Sequence, residues 1–434
     1  MNLEAIVLTD SQVSAIKKSM KKKKVESLAF LFGKVKGNKL LTTDVLIPRK
    51  RDYAERTACS VEIKPEYIAR EFPKLIGQEK TLIATVHSHK VPLEQPSFGD
   101  IQFTHKSVQR VFPHHLTGIF CRDKLRFFTI RDEKVVEVEK RVVQEKLLKK
   151  ADRQVRFLGK EGQLLLSSTK VLLIGCGGGN AITAFALACM RVKQIILIDY
   201  DKWDETNRNR VFIPRSHVGK YKAASLKKLI QRHFPEVEVD AFVARAQDLP
   251  EEVYSVPDVL IVGPDTDSGR IFGNRMALKY KKPAIFPAAG ILGENRKLKA
   301  MVGSVQVVIP NETPCYECIA EIDPKELLRE TATLRQKRYL AKRYMLKELL
   351  DIPIAPSIAS LNYAVAGIAL WEFVKLVTGI ERCKEFQVID LLKGELREIK
   401  VKKDEQCPAC SEINVKFVEG GVDKEEILSY VERT

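Results

Sequence analysis

Hydrophobic and polar positions change their period several times along the chain. Up to about residue 135, short apolar runs of strand length, "LAFLFGKV", "TLIATVHSH" and "RFFTIRD", mix with a few helical patterns such as "SQVSAIKKSM". Over residues 137–166 the text turns charged and helix-forming, "EVEKRVVQEKLLKKADRQVRFLGKEGQLLL", with apolar residues recurring at three and four. That pattern predicts a helical linker over 136–152 between a first domain at 1–135 and a second at 153–434.

Beyond the linker, "TKVLLIGCGGGNAITAFALACMRVKQIILIDYDKW" reads as an apolar strand, a glycine-rich turn, an apolar helix and a second strand ending in acid. This is the βαβ opening of a doubly wound parallel sheet. Strand-like "VLIVGPD" and "PAIFPAAG" then alternate with helical "KYKAASLKKLIQRHF" and "RIFGNRMALKYK". The basic stretch over 324–350 reads as a helix or a mobile excursion before the apolar helix around "LNYAVAGIALWEFVKLVTG". The expected fold class is α/β in both domains, the second Rossmann-like.

Composition narrows the class. A chain of 434 residues, 45% apolar and 30% charged, suits two or three globular domains. No apolar run is read as approaching the roughly 20 residues that cross a bilayer, so no membrane partner is expected. The start, "MNLEAIVLTDSQ", lacks the basic-then-apolar layout of a secretory signal, and the expected location is cytoplasmic. Nine cysteines in such a chain point to metal binding or catalysis rather than disulfides. A net charge of +17 suggests an anionic partner, whether nucleotide, acidic protein or nucleic acid, without choosing among them.

The stretch "IATVHSHKVPLEQPSFGD" carries the first chemistry. Residues two apart on a strand share a face, so His87 and His89 can reach one metal ion. Asp100, where "PSFGD" enters a helix, is a plausible third ligand, and three protein ligands leave a fourth position open, as in catalytic zinc. Glu26, opening the first long apolar strand, is the candidate base for the water such an ion activates. The set Glu26, His87, Ser88, His89, Ser97 and Asp100 resembles the JAB/MPN (JAMM) metalloproteases, which cut isopeptide or peptide bonds after ubiquitin-like tails. The resemblance covers roughly the first 135 residues. It implies that His87, His89 and Asp100 bind zinc, that Glu26 is the general base and that Ser97 helps hold the oxyanion. Lys90 stands where that family usually has proline.

"GCGGGN" follows a strand and opens a helix, so its backbone amides can face phosphates. Gly175, Gly177 and Gly178 are the cradle candidates. Asp199, ending the next strand about 20 residues on, is the acid that takes ribose hydroxyls. With "DYDKWDETNRNRVF", which begins at that acid, the chain resembles the ThiF/MoeB-type adenylating enzymes that activate ubiquitin and the sulfur-carrier proteins. The likeness runs from Arg153 to Cys410. It implies ATP and Mg2+ as cofactors, with Asp199, Asp201, Asn207, Arg210 and Lys222 on the nucleotide and Asp265 on magnesium. It also implies a homodimer, with Arg153 reaching into the partner subunit's site. Arg153, Arg210, Lys222 and the magnesium would neutralise the charge that develops when a carboxylate attacks an α-phosphate. Asn180 stands where the family commonly has the last glycine of the turn, and is expected to narrow the approach to the phosphates.

Two CxxC pairs, Cys315 with Cys318 and Cys407 with Cys410, give the four thiolates of a closed, structural zinc site. Ubiquitin-type activators place a thioester cysteine in the crossover between such pairs, but residues 321–382 contain none. Cys383, just before a strand, reads as structural.

Both resemblances meet on one substrate. They imply an adenylyltransferase for the C-terminal glycine carboxylate of a ubiquitin-like protein, joined to a zinc peptidase for the same tail, with a conjugating enzyme as a further partner. Such fusions resemble those of prokaryotic ubiquitin-like modification systems, some associated with phage defence. Two other readings stay open. Activation of a sulfur carrier for cofactor or cysteine synthesis would require a sulfur donor. A nucleotide-sensing scaffold that binds nucleic acid would show salt-sensitive binding and no pyrophosphate exchange; it ranks last, because it has no use for two sets of catalytic residue types.

Overall fold

The computed structural model describes residues 3–21, 24–131, 134–294, 297–320, 322–332, 336–337 and 356–411. The chain falls into two compact units that divide between Ser168 and Thr169.

The first unit is a closed barrel with helices outside it. Its strands are β1 (Ala5–Thr9), β2 (Leu28–Lys36), β3 (Lys39–Leu46), β6 (Thr81–Ser88), β7 (Leu116–Cys121), β8 (Lys124–Arg131) and β9 (Lys134–Val143), in the order β1-β3-β2-β6-β7-β8-β9. A separate ribbon pairs β4 (Tyr53–Arg56) with β5 (Val61–Ile63). Ile6, Leu8, Leu31, Ala84, Val86, Leu116 and Phe127 belong to one core cluster, which Ile83 joins where the β2–β6 register shifts.

The helical linker expected over 136–152 is corrected here. Residues 134–143 are β9, paired with β8 on one side and running parallel to β1 on the other, where they close the barrel. Val138 joins the barrel core between exposed Glu137 and Glu139, while Arg141 and Val143 are buried on either side of exposed Val142. Five of the ten residues are valine, whose branched side chain favours the pleated surface. Helix begins only at Glu145–Lys150 and continues as Asp152–Ser167, broken at Gly159, where φ is 72°.

The second unit is a mixed α/β structure with a Rossmann-like sheet. Strands β10 (Lys170–Ile174), β11 (Gln194–Ile198), β12 (Glu238–Phe242), β13 (Val259–Val262) and β14 (Ala284–Glu294) are parallel, while β15 (Lys297–Val308), β16 (Phe386–Asp390) and β17 (Glu395–Glu398) add an antiparallel flank. The order is β12-β11-β10-β13-β14-β15-β16-β17. Chain direction across the sheet reverses at β10, so a crevice opens beyond the carboxyl ends of β10 and β13. Of the stretch over 324–350, Pro324–Thr331 is a helix; residues 333–335 and 338–355 lie outside the described residues.

The helix Ala359–Thr378 is long and apolar enough to cross a bilayer, contrary to the expectation that no run in the chain is. It packs on β14, β15 and the helix Gly178–Cys189, and it carries a buried ion pair near its C-terminal end. Lys375 Nζ lies 2.6 Å from Glu372 Oε1, both side chains 1% exposed. Gln387 Nε2 donates to the same carboxylate at 2.6 Å and the Lys384 amide at 3.0 Å. Removing one partner of such a pair strands the other charge in the interior. Glu372→Ala is therefore expected to cost about 3–5 kcal/mol in denaturant unfolding, while Glu372→Leu with Lys375→Met recovers most of it. A loss below about 1 kcal/mol, the range of an exposed pair, would refute that account.

Candidate functional sites

His87 lies in β6, and His89 follows its end, where its amide donates to Phe120 O at 3.0 Å. The two Nε2 atoms approach to 2.9 Å. Asp100 faces both, with Oδ1 3.1 Å from His87 Nε2 and Oδ2 3.3 Å from His89 Nε2. His89 Nδ1 sits 2.8 Å from Leu93 O, which assigns the ring proton to Nδ1 and leaves Nε2 as a lone-pair donor. Two imidazoles and a carboxylate thus converge, with ligand atoms within 4.8 Å of one another. This is the donor set and crowding that a tetrahedral cation with one open position requires.

The helix Phe98–Phe103 brings Asp100 there through its own cap. Ser97 Oγ accepts from the Asp100 amide at 3.3 Å and donates to Asp100 Oδ2 at 2.7 Å, while the Ser97 amide donates to the same oxygen. Ser97 is therefore engaged in orienting Asp100. Burial works to raise the Asp100 carboxyl, but His87 and His89, when protonated on the nitrogens that face it, outweigh that and hold the group well below the usual carboxylate range. Glu26, 7% exposed, is pushed up by burial despite the nearby imidazoles. A raised carboxylate beside a metal-ligand cluster is suited to taking a proton.

Pattern reasoning did not find the groups that hold Glu26. Its amide donates to Thr57 O at 2.7 Å and its carbonyl accepts from Arg56 Nε at 2.6 Å. Both partners belong to the β4–β5 ribbon, about 30 residues away, and no spacing rule links them. Lys90 turns its ammonium to Met20 O, 3.3 Å away, at the end of the helix Asp10–Met20.

In the second unit the glycine-rich turn leaves β10 and opens the helix Gly178–Cys189. Gly175 has φ 80°, and a Cβ there would lie 2.9 Å from Pro264 Cα, so only glycine fits. In front of Gly177 a Cβ would meet nothing within 4 Å, which leaves room for a phosphate at the helix start. Beside Gly178 lie Arg210 Cδ and the Asn362 amide, 3.4 Å and 2.9 Å from such a Cβ. Asn207 Oδ1 accepts from the Asp204 amide at 3.1 Å and so shapes the turn that delivers Arg210.

Asp199 is buried and closes the loop, accepting from the Cys176 amide at 2.6 Å and the Asp201 amide at 2.7 Å. Burial raises its carboxyl, against the Lys222 charge. Lys222 Nζ pairs with Asp201 Oδ2 at 2.8 Å; burial alone would lower its ammonium, but Asp199, Asp201 and Asp265 together raise it. Asp265 is exposed past the end of β13 and makes no hydrogen bond or ion pair among the described residues. An exposed carboxylate near Lys222, with no hydrogen bond of its own, fits a divalent cation shared with a nucleotide.

One expectation changes, and one residue falls on the other side of the division between units. Asn180 does not narrow the cradle: its Nδ2 turns inward to Ile174 O at 3.1 Å and Gly175 O at 2.9 Å, which pins the turn to the end of β10. Arg153 lies in the first unit, exposed in the first turn of the helix Asp152–Ser167.

The four CxxC thiols converge. Sγ separations are 3.8 Å for Cys315–Cys318, 3.5 Å for Cys315–Cys407 and 3.4 Å for Cys318–Cys410. These are near the edge of about 3.8 Å that four Zn–S bonds of about 2.3 Å give a tetrahedron, so the cluster could hold zinc. Hydrogen bonding with Cys315 lowers the Cys407 thiol below its ordinary value. Asn274, unforeseen in the sequence, donates to Cys315 Sγ at 3.5 Å and accepts from the Tyr316 amide at 3.1 Å. Cys383 is raised to about 11 by burial, as befits a structural thiol.

A glycine-rich turn opening a helix at the switch point of a doubly wound sheet, with an acid closing the turn, defines a Rossmann-like nucleotide-binding unit. The chain belongs to the ThiF family, whose model matches residues 151–409. Curated relatives include the NEDD8-activating enzyme E1 catalytic subunit of Schizosaccharomyces pombe, 31% identical over 35% of this chain and 33% of that protein. The same subunit of Saccharomyces cerevisiae is 31% identical over 36% and 53%. The SUMO-activating enzyme subunit uba-2 of Caenorhabditis elegans is 28% identical over 35% and 25%. The chain spans between a quarter and about half of the length of these relatives. A solved structure of E. coli MccB aligns with TM-score 0.47 at 20% identity, over 60% of this chain and 74% of that one.

Proposed function

We propose that the second unit uses ATP and Mg2+ to adenylate the C-terminal glycine carboxylate of a ubiquitin-like protein or peptide, and that the first unit is a JAB/MPN-type zinc peptidase acting on the same tail. The observation that carries the adenylation reading is the placing of Arg210 beside Gly178, and of Lys222 near Asp199, Asp201 and Asp265, at the glycine-rich turn of a ThiF-family unit. The names of the relatives, activators of NEDD8 and SUMO, support a ubiquitin-like substrate.

In the reaction a carboxylate oxygen forms a bond to the α-phosphorus while the bond to pyrophosphate breaks. Backbone amides at Gly177 and Gly178 hold phosphate oxygens at the helix start. Asp199 fixes that loop and offers its remaining lone pairs to ribose hydroxyls. Arg210 and Lys222 offset charge on the five-coordinate phosphorus, and Asp201 keeps the ammonium in place. Magnesium on Asp265 supplies further neutralisation when bound. Arg153 completes the site of a partner subunit in a homodimer.

In the first unit, zinc held by His87, His89 and Asp100 supplies a Lewis acid that makes water nucleophilic at neutral pH. Glu26 takes the water's proton and returns it to the leaving amine. Ser97 holds Asp100 and stands beside the developing oxyanion. Four thiolates, Cys315, Cys318, Cys407 and Cys410, hold a second, structural zinc. The reading places the protein in the cytoplasm and gives nucleic acid no role.

The test is ATP–pyrophosphate exchange by the full chain, with candidate small proteins that end in glycine. Exchange should appear on adding one of them and vanish when its last two residues are removed. Exchange with no added substrate, or with the truncated form, would overturn the carboxylate assignment.

A further inference from the structure

The helix Asp267–Lys279, which follows Asp265, borrows its N-terminal cap. Its own N-cap residue, Thr266, makes no side-chain capping bond. The amides of Asp267 and Ser268 instead donate to Glu330, at 2.9 Å to Oε1 and 2.8 Å to Oε2. Glu330 lies in the crossover helix Pro324–Thr331, 62 and 63 residues further along the chain. Both carboxylate oxygens are used, and a carboxylate at a helix start is also favoured by the helix dipole.

The cap acts on a short piece of backbone. Asp265 stands between two anchors. On one side the Gly263 amide donates to Ile174 O at 3.0 Å, which ties the turn to β10. On the other is the helix start that Glu330 caps. The turn packs closely against that helix, because a Cβ on Gly269 would lie 2.8 Å from Thr266 Oγ1 and 2.9 Å from Pro264 Cγ. The Asp265 side chain makes no hydrogen bond or ion pair among the described residues, and only the field of nearby cations such as Lys222 acts on it, so its place depends chiefly on the backbone at both ends.

We propose that Glu330 is a positioning residue that sets the magnesium affinity of the nucleotide site, by fixing the turn that carries Asp265 to the crossover helix. The proposal rests on the adenylation reading, in which Asp265 holds magnesium. Docking of the crossover helix and binding of magnesium nucleotide then favour each other, since linkage between two binding equilibria is reciprocal. A movement of the crossover helix would loosen the metal carboxylate without touching the phosphate cradle.

Calorimetric titration of the full chain with ATP, once in Mg2+ and once in EDTA, separates these effects. Wild type, Glu330→Ala, Glu330→Gln and Asp265→Ala are compared, with a melting curve for each. In EDTA, Glu330→Ala should bind ATP as wild type does; in Mg2+ it should bind about fivefold more weakly, the size of a typical cap. Glu330→Gln, whose amide oxygen still accepts, should recover most of the difference. A purely structural cap would lower the melting temperature and weaken both titrations equally, and that result overturns the proposal. So does a wild-type Mg2+ dependence in Glu330→Ala while Asp265→Ala loses its own. If Asp265→Ala also keeps the wild-type dependence, or wild type binds no ATP, the adenylation reading fails and takes the proposal with it.

Discussion

Replacing Asp265 with alanine is expected to lower tail-dependent ATP–pyrophosphate exchange by about 10²–10³-fold, the usual effect of removing one group that stabilises transition-state charge. The reaction brings a carboxylate to a polyphosphate, so its barrier is largely repulsion between anions. Lys222 and Arg210 cannot supply the whole counter-charge: Lys222 is already paired with Asp201 at 2.8 Å, and Arg210 Nη1 donates to Thr206 O and Asn209 Oδ1, both at 3.3 Å. Asp265 makes no hydrogen bond or ion pair among the described residues and is the carboxylate left to hold a cation. Asp265→Asn, which keeps the shape and loses the charge, should fall nearly as far. Exchange within tenfold of wild type in both variants would remove Asp265 from this role.

The parts of the fold legible in the sequence were those with a strong local period. The strands Leu28–Lys36, Thr81–Ser88 and Lys170–Ile174 and the helix Lys222–His233 follow from apolar spacing, with turn residues at their ends. The strand Lys134–Val143 did not. Its charged residues favour helix, and its apolar positions satisfy both templates; pairing with β1, more than 120 residues earlier, decides between them. The candidate sites divide in the same way. His87 and His89 share a strand face, Cys315 and Cys318 share a helical turn, and the glycines precede a helix, so each set is visible as spacing. Arg56 on Glu26, Asn274 on Cys315 and Glu330 on Asp267 are tertiary contacts between distant segments, and spacing cannot carry them. Asn180 was misread for a related reason. The position was legible, but the direction of the side chain depends on the acceptors at the end of β10.

Glu26→Ala is expected to retain zinc and lose about 10²–10⁴-fold in cleavage of a substrate extended beyond its terminal glycine, the range for removal of a general base. The two effects separate because Glu26 is no part of the converging donor set, which is His87, His89 and Asp100. Burial raises its carboxyl, as a base needs when it must hold a proton briefly and then release it to the leaving amine. His89→Ala should lose both properties, since its Nε2 is one of three ligand atoms and its Nδ1 anchors the loop at Leu93. Zinc content by atomic absorption and cleavage by mass spectrometry read the two independently. A Glu26→Ala protein that loses zinc along with activity would make Glu26 a ligand. One that cleaves as fast as wild type would leave the first unit without its proposed base, and the converging histidines would then mark a structural or regulatory metal rather than a hydrolytic one.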